Sequence, residues 1–179
     1  MKRLELEACI NEYGRALYSF CSYLACNRQE AEDLYQDTFL KALELGGQID
    51  GEQNPKSWLL SIALHIWKNR KRKYAWRRRI ADIRPMDEEK DGSLTESEDG
   101  RPEESLLAKE EREAVQDAVR KLPERLKTAV LLYYMEELPV KEVAGVMRIP
   151  AGTVLSRLHQ ARKLLIKELE SVLDEERVR

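Results

Sequence analysis

Apolar residues recur every three or four positions along most of the chain. Alternation at every second position is nearly absent, so the pattern predicts helices and no sheet. Ile10, Tyr13, Leu17, Phe20 and Leu24 are spaced 3, 4, 3 and 4 apart and give a first helix one apolar stripe. Asn27 precedes Glu30 by three, a capping-box arrangement that starts a second helix. That helix runs through EAEDLYQDTFLKALEL, with Ala31, Leu34 or Tyr35, Thr38, Phe39 and Ala42 inward and Glu32, Asp33 and Asp37 outward; Gly46-Gly47 stops it. Asn54 as cap and Pro55 as first helical residue open a third helix, SWLLSIALHIWKNRKRK, whose buried face carries Trp58, Ile62 and Ile66. These three helices predict one small bundle, residues 1–84.

Helical spacing then lapses. Residues 85–105 are rich in Asp, Glu, Gly and Ser and predict a flexible acidic linker. It returns from Leu106, with Val115, Ala118, Val119 and Leu122 in one stripe and Leu126, Ala129, Val130 and Tyr133 in another after Pro123. The final unit, LPVKEVAGVMRIPAGTVLSRLHQARKLL, reads as two helices at a tight turn. Val140, Val143, Ala144 and Met147 share one face of the first. Arg148-Ile149-Pro150 interrupts, proline being unable to continue a helix but well suited to begin one. Val154, Leu158, Ala161 and Leu165 face inward on the second, leaving Ser156, His159, Gln160 and Lys163 outward, flanked by Thr153, Arg157 and Arg162. A small Ala144 and an apolar Ile149 suit the corner of a helix-turn-helix, and an exposed cationic second helix suits the major groove. A plain helical hairpin with a solvated outer face has the same periodicity. The expected fold is all-α: two small helical bundles, residues 1–84 and 106–179, the second containing the helix-turn-helix.

Charge sharpens this picture only when read locally. The 179 residues sum to a formal net charge of −2. From Lys68 to Arg84, nine basic residues face only Asp82, a net of +8; from Pro85 to Glu104, nine acidic residues face Lys90 and Arg101, a net of −7. The cationic run KNRKRKYAWRRR carries Tyr74 and Trp76, after Trp67, which also fits the core. Lysines and arginines on successive turns neutralise phosphates, and aromatics between them stack on unpaired bases. A solvated charged helix, or one held to an anionic membrane, is the competing reading.

No catalytic group emerges. Asp33 and Asp37 lie one turn apart without a third ligand, a histidine or a glycine loop nearby, and solvated surface or a protein-docking face explains them. No nucleophile–base pair, Walker loop or GxGxxG is present. Cys9, Cys21 and Cys26 are odd in number and lack zinc spacing, which predicts no metal site, reduced thiols in a helical core and a cytoplasmic protein. The apolar runs are too short to span a membrane, and the charged N-terminal stretch is no secretory signal.

The residues AEDLYQDTFLKAL, PKSWLLSIALHIWKNRKRK, LPERLKTAVLLYY and IPAGTVLSRLHQARKLL together resemble the extracytoplasmic-function group of bacterial RNA polymerase sigma factors, over nearly the full length. The resemblance implies docking of Asp33, Leu34, Gln36, Asp37 and Phe39 on the β′ clamp helices of core polymerase, with Phe39 inward, and further contact with the β subunit. It implies reading and melting of the −10 element by Lys68, Arg70, Lys71, Arg72 and Lys73, with Gln48, Asp50 and Asn54 as candidates to receive a flipped base. It implies −35 reading by Arg148, Thr153, Ser156, Arg157, His159, Gln160 and Lys163. The linker corresponds to a segment threaded through polymerase channels. No cofactor and no catalysis by this chain are implied, and an anti-sigma factor, in many cases membrane-anchored, is an implied inhibitor. The sequence departs from the family where Arg148 replaces a usual glycine, where Leu155 and Gln160 replace usual basic residues, and where His65 and Asn69 replace frequent Asn and Asp. A two-domain DNA-binding regulator that does not dock on polymerase, a metal-dependent recombinase or nuclease, and a protein-binding adaptor are the rival readings.

Overall fold

The computed structural model describes residues 3–25, 27–45, 54–81 and 106–177. The acidic linker of residues 85–105, the stop signal Gly46-Gly47, Gln48, Asp50 and Cys26 lie outside the described residues. The described backbone is helical, and the chain divides into two compact units, Met1–Leu94 and Thr95–Arg179. Among the described residues, no helix is long and apolar enough to cross a membrane.

In the first unit α1 (Arg3–Leu24), α2 (Arg28–Glu44) and α3 (Pro55–Ala81) pack against one another in all three pairings. Local signals set two of the starts. Asn27 Oδ1 accepts the Glu30 N–H at 2.8 Å, and Asn54 Oδ1 accepts the Lys56 N–H at 3.0 Å. The core is Leu17, Phe20, Cys21 and Leu24 from α1, Ala31, Leu34, Thr38, Phe39 and Ala42 from α2, and Leu59, Leu60, Ile62, Ala63, Leu64 and Trp67 from α3. Thr38 is tolerated there because its hydroxyl donates to the Leu34 carbonyl at 2.6 Å. Tyr35 stacks edge-on against Tyr18 and Phe39, with centroids 5.6 and 5.0 Å away, and burial pushes its phenol pKa above the ordinary value. A Cβ at Gly14 would stand 2.9 Å from the Tyr35 hydroxyl, so α1 and α2 approach closely there because position 14 has no side chain.

Three expectations change in this unit. Ile10 is exposed, because the first turns of α1 extend past the covered part of the bundle and full burial of apolar side chains begins at Leu17. The buried side of α3 is broader than one stripe and centres on Leu59, Leu60, Ala63, Leu64 and Trp67; Trp58 and Ile66 are half-buried. A helix wedged against two neighbours needs apolar residues around more than one face. Of the thiols, Cys21 is buried as expected but Cys9 is only half-buried.

In the second unit α7 (Ala151–Arg177) is the central element, touched by α4 (Leu106–Lys121), α5 (Glu124–Val130) and α6 (Val140–Met147). Three prolines stand immediately before helices, and their carbonyls accept the first helical N–H bonds. Pro123 serves Leu126 and Lys127, Pro139 serves Glu142 and Val143, and Pro150 serves Thr153 and Val154. Pro150 therefore caps α7 from one residue outside, rather than forming its first turn. The core comprises Ala118, Val119, Leu122, Leu126, Ala129, Leu132, Leu138, Val143, Met147, Val154, Leu158 and Ala161, among others. Val115 is exposed rather than part of the stripe, while Val140, Ala144, Tyr133 and Leu165 are half-buried.

Both ends of α6 are bounded by left-handed residues that are not glycine. After α5 the chain widens into a π turn, Leu131–Met135, with the Glu136 N–H reaching the Leu131 carbonyl, and then Glu137 takes φ 55°. At the other end Arg148 takes φ 56° and ψ 51°, its N–H bonding to Gly145 O while Ile149 N–H bonds to Ala144 O. This is a Schellman closure, which normally employs glycine. The departure from glycine therefore keeps the glycine-type turn and strains it. The left-handed penalty of roughly 1–2 kcal/mol exceeds the roughly 0.4–1 kcal/mol that glycine loses through a looser unfolded chain. Arg148→Gly is expected to stabilise the second unit by about 0.5–1 kcal/mol, read as a higher urea midpoint at unchanged m-value.

Candidate docking face and nucleic-acid interfaces

The outer side of α2 presents Asp33, Gln36 and Asp37, all exposed, and carries Leu40 beside them, 59% exposed. Leu34 and Phe39, from the same five-residue set, are inside the bundle and cannot touch a partner while α2 is folded as it is; they hold the helix that presents the other three. Leu40 is absent from the sequence-derived set. Its signal was an apolar residue on the polar side of α2, three and four positions after Asp37 and Gln36.

The structure joins two residues that the sequence had placed at different jobs. Arg70 Nη2 bonds Asp37 Oδ2 at 2.5 Å and the Asp33 carbonyl at 3.3 Å. The guanidinium straps α3 to the acidic side of α2 and fixes where the Asp37 carboxylate stands. With side chains 33% and 51% exposed, this pair contributes at most about 1 kcal/mol to stability. Its effect is on geometry and on local charge.

Beyond this strap the surface of α3 is cationic. Lys68, Lys71, Arg72 and Lys73 are exposed, with the Lys71 ammonium 5.0 Å from the Trp67 ring and Arg72 donating to Asn69 Oδ1 at 3.2 Å. Asn69 Nδ2 lies 2.9 Å from His65 Nε2, so these two family departures bond each other one turn apart. Trp67, only 4% exposed, is core and not a stacking platform. Tyr74 and Trp76 are exposed, Arg78 lying 5.9 Å from the Tyr74 ring, so the exposed aromatics belong to the last turns of the helix. Asn54 is exposed but spends its amide oxygen on the cap of α3.

In the second unit, α6 and α7 meet at the Arg148–Pro150 corner, with Ile149 half-buried in it. On α7, Ser156, His159, Gln160 and Lys163 are exposed, Thr153 and Arg157 half-buried, Arg162 exposed. Arg148 is exposed where the corner meets this surface. From Val143 to Lys167 there is no acidic residue, while Arg148, Arg157, Arg162, Lys163 and Lys167 give a local net of +5. An acid-free cationic stretch of α7 up to Lys167, backed by Val154, Leu158 and Ala161, is the arrangement that phosphates and a major groove favour.

Comparison with known proteins agrees with this geometry. Residues 9–77 match the family described as Sigma-70 region 2, and residues 112–165 match Sigma-70, region 4. The RNA polymerase sigma-H factor of Pseudomonas aeruginosa is 35% identical over 150 residues, which span 82% of this chain and 77% of that protein. The ECF RNA polymerase sigma-E factor of Haemophilus influenzae is 32% identical, over 82% of this chain and 78% of that one. Among solved structures, the sigma factor RpoE of Bartonella quintana, in complex with the anti-sigma factor NepR, superposes with a TM-score of 0.72 at 25% identity, covering 93% of this chain and 97% of that chain. With an acid-faced helix and a cationic helix in one unit, and a helix-turn-helix in the other, the chain belongs to the sigma-70 family of RNA polymerase sigma factors, in its extracytoplasmic-function group.

Proposed function

We propose that this chain joins core RNA polymerase and directs it to promoters, contributing address and strand opening while the polymerase supplies the chemistry. The single observation that carries the reading is the pairing, in one chain, of an acidic helix face with two cationic helix surfaces, on α3 and on α7 up to Lys167, built on separate cores. A plain regulator has no need of the first.

In this reading Asp33, Gln36 and Asp37 meet the β′ clamp helices, with Leu40 adding apolar contact, while Leu34 and Phe39 set the helix beneath them. Arg70 acts through Asp37 as a positioning residue. Lys68, Lys71, Arg72 and Lys73 hold the opened −10 backbone, and Tyr74 and Trp76 are the exposed rings available for stacking. Gln48, Asp50 and Asn54 remain candidates for a flipped base, at an unstacking cost of a few kcal/mol. The acidic residues 85–105 suit channels that otherwise hold RNA. Residues 1–84 and 106–179 are the two grips on either side of that linker.

At −35, α7 lies in the major groove, with Ser156, His159 and Gln160 toward base edges and Arg148, Thr153, Arg157 and Lys163 toward phosphates. An anti-sigma protein, as bound by the Bartonella relative, is the natural inhibitor of such a chain, and the promoter DNA and β subunit complete its partners. Run-off transcription with core polymerase on a promoter library tests the whole reading: template-specific initiation above core alone is expected, and none on any template overturns it. Lys163→Ala should lower the slope of log affinity against log salt by about one in holoenzyme–promoter binding; an unchanged slope removes Lys163 from the phosphate contacts.

A further inference from the structure

At the N-terminal end of α7 one large apolar side chain stands among the exposed polar ones; Leu164 and Ile166, also exposed, lie two or more turns further along the helix. Leu155 is 55% exposed among Ser156, His159 and Gln160. Its helical neighbours one turn back, Ala151 and Gly152, are short and exposed, and a Cβ added at Gly152 would meet nothing within 4 Å. One turn ahead stand Leu158, buried, and His159. No charged residue lies three or four positions from Leu155 on either side. The isobutyl group therefore stands above a low, uncharged patch at the N-terminal end of the helix, the end that reaches base edges when such a helix enters the groove.

A scattered exposed leucine is ordinary on a protein surface. In a major groove, however, its chemistry leaves one match. It neither donates nor accepts a hydrogen bond, and the apolar group that a base pair displays there is the C5-methyl of thymine. Cytosine would set its amino donor against the leucine without a partner, a loss that favours thymine further. We infer that Leu155 is a specificity-determining residue that reads a thymine methyl in the −35 element, where a basic residue would read guanine. This rests on the −35 reading of α7 given above.

The test uses holoenzyme reconstituted from core polymerase and the full chain. A −35 sequence is first selected from a randomised promoter library. Each thymine in it is then replaced, one at a time, by deoxyuracil, which removes the methyl and leaves the hydrogen-bonding groups intact. At one position, wild-type holoenzyme is expected to bind about four-fold more weakly, the effect of one methyl-sized apolar group. Leu155→Ala should bind the thymine and uracil promoters equally, with an unchanged salt slope. Leu155→Arg should move the preference at that position to guanine. A selected element that contains no thymine, or one at which wild type is indifferent to uracil at every thymine, overturns the inference and leaves the −35 reading standing. So does a Leu155→Ala variant that keeps the four-fold discrimination. Failure to select any −35 sequence overturns both.

Discussion

Asp37→Arg is expected to abolish assembly with core polymerase, weakening it at least a hundred-fold, while promoter-duplex binding by the free full chain keeps its salt dependence. Two effects combine. The substitution reverses charge in the middle of the exposed Asp33, Gln36 and Asp37 face, and like charges brought together across an interface cost several kcal/mol. It also sets a second guanidinium against Arg70, which now bonds Asp37 and the Asp33 carbonyl, so the strap between α2 and α3 is lost. The fold should survive, because an exposed pair of this kind contributes at most about 1 kcal/mol. Size-exclusion co-elution with core polymerase gives the readout, with circular dichroism as the check on folding. Arg70→Ala separates the two effects: it removes the strap without reversing the face, and a loss intermediate between wild type and Asp37→Arg is expected. Wild-type co-elution of Asp37→Arg would remove α2 as the docking helix.

Phe20→Ala should destabilise the first unit by about 3–5 kcal/mol, the usual cost of emptying a fully buried aromatic site. Phe20 is 0% exposed, with Leu17, Cys21 and Leu24 buried on the same helix, and α1 packs on both α2 and α3. A cavity at a fully buried position of a helix held by two neighbours has little freedom to collapse. At roughly 4–8 °C per kcal/mol for a unit of this size, the melting transition should fall by more than about 12 °C. Differential scanning calorimetry measures it, and polymerase assembly should fall in step at 37 °C, because Asp33, Gln36 and Asp37 stand on a helix whose inner side is this core. A shift of only a few degrees would mean that the three-helix core relaxes around the void, contrary to the packing described.

Most of the architecture was legible from residue order because helix formation is local. The caps at Asn27 and Asn54 act within three residues, and the stripes of α5 and α7 repeat within two turns, so their signals lie in short windows. The same reasoning was least secure at edges. Ile10 and Val115 keep the periodicity of their helices yet lie where no neighbour covers them, and sequence spacing cannot tell a covered turn from an uncovered one. Trp67 illustrates the converse. Its place beside the cationic run suggested base stacking as readily as core, and packing of α3 against α1 and α2 put it inside.

The sequence by itself determined the all-α class, the helix starts, the cationic character of α3 and of α7 up to Lys167, and the family, because each is written in contiguous residues. Only the tertiary structure decided that Leu34, which periodicity left open with Tyr35, is the residue inside, and that Arg70 serves Asp37. It also decided that Arg148 holds a turn suited to glycine and that Leu155 stands exposed above short neighbours. The reason is distance along the chain and backbone geometry. Asp37 and Arg70 are 33 residues apart and meet only when α2 and α3 pack, while burial and a positive φ are properties of the folded chain rather than of any residue in it.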